Sequence, residues 1–219
     1  MNIIMINGSP RPDGLTAAML HRLADTLLQK GADVQYYDLS KLHMKQCSGC
    51  CACYRTGHCI FQDDAERLSD AIAKADGIVI GSPTYVSNVS GLLKTFIDRG
   101  HFVIEQLLRG KYAVGIATGE NYGSRDTARV LNRLFSYSGA YISDTMICNA
   151  PFSSKQFPAD RVVRAAGRLY ADIAGQRVYP VQAAKSRVIF RFGILPFVQR
   201  KGAQYQGVTD RWQACGFTK

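Results

Sequence analysis

Through its first 180 residues the chain alternates short apolar runs with longer stretches whose apolar positions recur at helical spacing. Residues 2–7 are mostly apolar and close on Gly8-Ser9-Pro10, the pattern of a parallel strand buried on both faces. Over 15–30, Met19, Leu20, Leu23, Leu27 and Leu28 share one helical face, and Gly31 supplies a stop. A second strand is predicted over 34–38. Beyond a cysteine-rich stretch, Asp63 and Glu66 have the spacing of a capping box that opens a helix reaching Lys74. Further strands are predicted over 77–81, 112–117 and 141–148, and helices over 91–99, 125–138 and 158–175. Strand-then-helix units repeated five times imply an α/β three-layer sandwich with a five-stranded parallel sheet, since right-handed crossovers put helices on both faces. The chemistry of the loops favours the order 2-1-3-4-5.

That pattern ends near residue 179, so residues 1–179 read as one domain and 180–219 as a C-terminal extension. Val188, Ile189, Phe190, Phe192, Ile194, Leu195, Phe197 and Val198 make the extension too apolar to stand in water, and packing on the domain or on a neighbouring subunit is expected. A membrane-surface helix is the competing reading, but Gly193 and Pro196 interrupt it. No apolar run has the length of a membrane span and the N-terminus has no basic leader, so a cytoplasmic protein is expected. The net charge is +10, of which residues 181–219 carry +6, with seven basic side chains against Asp210 alone. Such an excess suits an acidic protein partner, an anionic surface or a phosphate-bearing cofactor, and it equally suits a solvated face. No nucleic-acid reader motif accompanies it.

In an open parallel sheet, ligands bind at the loops that follow the strands. The first of these, residues 8–16, ends at a helix N-terminus, where free N–H groups and the helix dipole favour a phosphate. Ser9 and Thr16 add hydroxyls, Arg11 a guanidinium, and Gly14 lies within the loop. The segment is neither a P-loop nor a G-x-G-x-x-G turn, and a plain capped turn is the alternative. After the third strand, Pro83, Thr84, Tyr85, Val86 and Ser87 can offer a planar ring a flat apolar contact with backbone hydrogen-bonding groups around it. After the fourth, Thr118, Gly119, Tyr122 and Gly123 permit close backbone approach. For Tyr85 and Tyr122 taken singly, surface aromatics closing a loop explain them as well.

Seven cysteines need a reason, and five of them (Cys47, Cys50, Cys51, Cys53 and Cys59) fall within thirteen residues. Clustered thiols in a chain without a secretion signal point to metal or redox chemistry rather than to disulfides. The C-x2-C-x2-C spacing lets each sulfur meet a different iron of a small cubane, with Cys59 as the nearby fourth ligand and Cys51 turned away as the spare. Zinc and metal-free packing remain alternatives, although zinc sites usually separate two cysteine pairs by a longer spacer. His21, His43 and His101 read as ordinary surface residues, leaving His58 and Tyr54 as the polar neighbours of the thiols. No catalytic acid or base is assigned.

In this order, GSPRPDGLT, the four-cysteine spacing followed by Asp63-Asp64, GSPTYVSNVSGLLKTFIDR and TGENYGS resemble the NADPH-dependent FMN reductase superfamily. The cysteine spacing is similar to that of its iron–sulfur flavoprotein branch, and the resemblance covers about residues 1–175. It implies a flavodoxin-like fold with Ser9, Arg11, Leu15 and Thr16 at the FMN phosphate, Pro83 to Ser87 beside the isoalloxazine ring, and Thr118, Gly119 and their neighbours completing the site. It further implies a [4Fe–4S] cluster on Cys47, Cys50, Cys53 and Cys59, and NAD(P)H or a reduced ferredoxin, an acidic redox partner, as electron donor. Homodimers or homotetramers with FMN at a subunit interface also follow. From the sheet itself, the loops 8–16, 39–63 and 82–90 after successive strand ends are expected to gather phosphate cradle, thiols and ring-holding turn at one rim. The family often has Asn where this chain has Leu15, which preserves backbone donation but removes a side-chain contact. A cluster-free FMN or quinone reductase and a flavodoxin-like electron carrier are the alternatives, the basic composition weighing against the carrier.

Overall fold

Parallel strands in the order β2-β1-β3-β4-β5 form the centre of the computed structural model, which describes residues 1–218. They are β1 (Asn2–Asn7), β2 (Asp33–Asp38), β3 (Gly77–Pro83), β4 (Tyr112–Gly119) and β5 (Tyr141–Asn149). The helices, in chain order, are α1 (Leu15–Gln29), α2 (Ala52–Thr56), α3 (Asp64–Lys74), α4 (Gly91–Arg99), α5 (Ser124–Tyr137), α6 (Ala159–Ala174), α7 (Pro180–Val188), α8 (Leu195–Lys201) and α9 (Gln206–Ala214). Successive strand residues face opposite sides of the sheet. Ile3, Met5, Val79, Val114 and Ile116 therefore pack under α1 and α6, while Ile4, Ile6, Ile78 and Ile80 pack under α3, α4 and α5. The fold is the flavodoxin-like sandwich expected from the sequence.

Two local readings change. Asp63 caps α3 by accepting from the Ala65 N–H (3.1 Å), but Glu66 does not complete the box. Its carboxylate turns to the Cys59 N–H and the His58 ring, because the cysteine segment packs beside it. The extension is helical from Pro180 to Ala214. Ahead of Pro196, which has no N–H for the α-helical ladder, the chain widens into a π-helical turn (Ile189–Ile194) that carries the helical course past the proline. Phe190, Ile194, Val198, Val208 and Trp212 form a third core that closes on Tyr54, Val103 and Ile104 of the same chain. Among the described residues no helix is long and apolar enough to cross a membrane.

Candidate functional site

The first loop is pressed against β3. Gly8 donates to the Gly81 carbonyl (2.8 Å), and a Cβ on Gly8 would lie 2.9 Å from that oxygen, so no larger residue fits. Ser9 and Thr16 are buried. The Ser9 hydroxyl accepts from the Arg11 N–H (3.1 Å), and the Thr16 hydroxyl pairs with that of Thr118 (2.7 Å). These hydroxyls brace the loop. The anion-binding capacity lies in the start of α1, where Gly14 offers no side-chain cap to the first-turn N–H groups. The Arg11 guanidinium lies above it, 4.0 Å over the Phe152 ring.

The turn after β3 is a type I′ hairpin. Tyr85 and Asn88 exchange both backbone hydrogen bonds (3.0 and 3.1 Å), and Val86 and Ser87 between them are left-handed, with φ of 49° and 59°. A β-branched residue is costly in that conformation, and here it has no packing reward, since Val86 is 97% exposed. Gly123 backs the turn: its φ is 81°, and a Cβ there would lie 2.9 Å from Ser87 Cα. Ser124 ties the same two loops to β5, meeting Asn149 Oδ1 (2.6 Å) and Thr84 Oγ1 (3.3 Å).

Between these loops is a cavity of about 220 Å³ at the carboxyl edge of the sheet. Arg11, Leu15, Pro83, Thr84, Tyr85, Thr118, Gly119 and Tyr122 line it. Ser9, Gly14, Thr16, Val86, Ser87 and Gly123 stand behind or beside these residues and shape the loops. Glu120, Asn121, Pro151, Phe152 and Ser154 join the lining without having been singled out from the sequence. Glu120 accepts from the Phe152 N–H (3.3 Å), which draws the loop after β5 over the cavity. The exposed aromatic Phe152, in a loop already placed at this edge, was the available signal.

All five clustered cysteines line a second cavity of about 300 Å³, with Phe61, Arg99 and His101. That volume holds roughly ten waters at their liquid volume, far more than one ion needs. Among the described residues no three side chains converge on a single metal ion. A cubane does not require that convergence, because each thiolate binds a different iron. Cys51, the expected spare, is left-handed (φ 57°) and lines the cavity with the other four. The Cys50 thiol is held below its ordinary range, chiefly by a hydrogen bond from the Ala52 backbone.

His101 is not the surface residue its sequence suggests. Its side chain is 3% exposed, with Nδ1 2.6 Å from Glu105 Oε1 and Nε2 3.4 Å from Glu66 Oε2. Burial alone would lower the imidazole, but the neighbouring Cys53 thiol and the Glu105 carboxylate outweigh it and raise it to about 10. His58, expected nearer the thiols, has a 79% exposed side chain.

The thiols do not share a rim with the first loop. Their cavity is walled by residues 97–104 and Leu134, at the C-terminal ends of α4 and α5, and no residue lines both cavities. Both helices return antiparallel to the strands, so those ends lie away from the carboxyl edge. Arg99 holds the cysteine segment there, donating to the Lys45 carbonyl (2.8 Å), the Phe61 carbonyl (3.2 Å) and both Asp63 oxygens.

Residues 1–152 match the family described as NADPH-dependent FMN reductase, and the extension lies beyond that match. An iron–sulfur flavoprotein of Clostridioides difficile (strain 630) is 32% identical over 223 aligned positions, covering 99% of each chain. One from Methanocaldococcus jannaschii is 35% identical over 141 positions, covering 62% of this chain and 71% of its own. Among solved structures, an NADH:FMN oxidoreductase in apo form superposes with a TM-score of 0.59 at 18% identity, over 83% of this chain and 93% of its own. An archaeal flavodoxin superposes with a TM-score of 0.53 at 17% identity, over 80% and 98%.

Proposed function

The chain belongs to the iron–sulfur flavoprotein branch of the NADPH-dependent FMN reductase family, and from that premise we propose its particular chemistry. It is a flavin oxidoreductase that binds FMN at the carboxyl-edge cavity and a [4Fe–4S] cluster on Cys47, Cys50, Cys53 and Cys59. NAD(P)H or a reduced ferredoxin is the donor. FMN exchanges electrons in pairs or singly, which suits it to link a hydride donor to a one-electron cluster.

The observation that carries the flavin assignment is that Leu15, first residue of the uncapped α1, and Tyr85, first residue of the strained turn, line one cavity. The N–H groups of Leu15, Thr16 and Ala17, with Arg11, bind the phosphate. Pro83, Thr84 and Tyr85 hold one side of the ring, Gly119 lets the backbone approach it, and Tyr122 and Phe152 exclude water. For the cluster, the supporting observation is that thiols spread over thirteen residues open onto one cavity. Since the two cavities are separate within one chain, a homodimer or homotetramer that sets one subunit's thiols against another's flavin cavity belongs to this reading.

The test is an absorbance spectrum of anaerobically purified protein with FMN, iron and acid-labile sulfide assays. Flavin bands over a broad iron–sulfur shoulder are expected, with four irons per FMN. Flavin without iron would leave an FMN or quinone reductase whose cysteines bind nothing, and protein that takes up no added FMN would overturn the whole assignment.

A further inference from the structure

The cysteine segment lacks the means to hold its own shape. Its one helix, α2, has five residues, far below the length at which a helix is stable in isolation. Cys47, Cys50 and Cys51 are exposed, so little burial fixes the loop around them. Arg99 anchors the two ends of the segment, which leaves its middle, residues 52–57, to be held from outside.

The C-terminal extension meets that middle. Gly207 of α9 lies so close to Gly57 that a Cβ on Gly207 would stand 2.1 Å from the Gly57 nitrogen and 2.7 Å from the Thr56 carbonyl carbon. Four residues on, Arg211 donates to the Gly57 carbonyl (2.9 Å) and reaches Glu105 Oε2 (2.6 Å) with its other terminal nitrogen. The second Glu105 oxygen takes the His101 ring, and that ring lines the thiol cavity together with Cys53. Tyr205 stacks on Tyr54 at 4.7 Å, next in sequence to Cys53. Gly57 is itself left-handed (φ 81°) and separates Cys53 from Cys59.

We infer that α9 buttresses the cysteine segment from behind, and that Gly207 and Arg211 are positioning residues that set the spacing of Cys53 and Cys59 for the cluster. Arg211 acts on the site from two directions, through the Gly57 carbonyl and through Glu105 and His101. The inference rests on the cluster assignment above, and its test separates the two.

The extension supplies a matched pair of glycines. Gly207→Ala forces α9 off the cysteine segment, whereas a Cβ on Gly193, in the same extension, meets nothing within 4 Å. Holoprotein of each variant is purified anaerobically, iron and sulfide are measured per FMN, and bleaching of the iron–sulfur shoulder is followed in air. Gly207→Ala should lose most of its iron and sulfide, or bleach several-fold faster, with FMN content unchanged. Gly193→Ala should match the wild type. Arg211→Met should lower iron and sulfide too, and Arg211→Lys should recover part of the loss. Wild-type cluster content and bleaching in both Gly207→Ala and Arg211→Met would overturn the inference. So would loss of FMN in parallel with iron, which would make the contact one of global folding. A wild type without iron would remove the cluster assignment and this inference with it.

Discussion

Arg99 and Asp63 form a bidentate ion pair, Nη1 lying 2.6 Å from Oδ2 and Nη2 2.8 Å from Oδ1, and it locks the cysteine segment to the end of α4. The Arg99 side chain is 1% exposed. Replacing it with Met takes the cation from Asp63, which keeps only the Lys45 and Ala65 N–H donors, and leaves two carbonyls without donors, so Arg99→Met should destabilise the fold by ~3 kcal/mol. Arg99→Lys keeps the charge but loses the planar fork, and should fall between the two. Urea midpoints measure both, and a Met variant as stable as the wild type would contradict the role given to this pair.

That pair also marks where sequence reading stopped. The strands were legible because buried parallel strands read as apolar runs. The final residues of β3 and β4, Ser82-Pro83 and Thr118-Gly119, are polar or turn-forming and so invisible to that pattern, although the sheet pairs Ser82 with Ala117, Pro83 with Thr118 and Gly119 with Asn149. Most of the lining of the carboxyl-edge cavity was legible because it follows the strand ends. The position of the thiols was not, since Arg99 sets it through partners 36 to 54 residues away. His101 looked unremarkable for the same reason: Cys53, Glu66 and Glu105 surround it only once α4 has brought it to them. In the extension, Gly193 and Pro196 suggested a break, and only the geometry of a wider turn shows how a helical course passes them.

Asp144 makes acid stability a measurable property of β5. Burial alone would raise its carboxyl, but the bidentate hydrogen bonds and charge of Arg161, with the Thr145 N–H and Arg168, hold it below the ordinary range. A carboxyl lowered in the folded state stabilises fully above its unfolded value of about 3.9, and that stability is lost as pH falls through the folded value. The stability gap between wild type and Asp144→Asn should therefore be constant from neutral pH to about 5 and close below about 4. Denaturant titrations at a series of pH values test this. A gap that widens in acid would reverse the sign.

Gly123 and Gly31 separate strain from contact. Both have left-handed φ, 81° and 84°, but a Cβ on Gly123 meets the Ser87 backbone while one on Gly31 meets nothing within 4 Å. Alanine at either site should cost ~1–2 kcal/mol of stability. Only Gly123→Ala should also displace the ring-holding turn and weaken FMN binding, by about tenfold if ~1.4 kcal/mol is lost there. Quenching of flavin fluorescence during titration reads the affinity, and equal affinities in the two variants would refute the coupling of the loops.

The hairpin at Val86 and Ser87 trades stability for shape. Two non-glycine residues in left-handed conformations cost ~1–3 kcal/mol each, and Val86, 97% exposed, recovers none of this by packing. Asparagine and glycine prefer these two positions of a type I′ turn. The double substitution Val86→Asn, Ser87→Gly should therefore raise the stability of FMN-free protein by ~1–2 kcal/mol. If the native pair is retained for its contact with the ring, the same variant should gain less from added FMN, because ligand stabilisation follows affinity for the folded state. Thermal unfolding with and without FMN gives both quantities. A variant stabilised without FMN and shifted by FMN as far as the wild type would show that these two side chains have no part in holding the flavin.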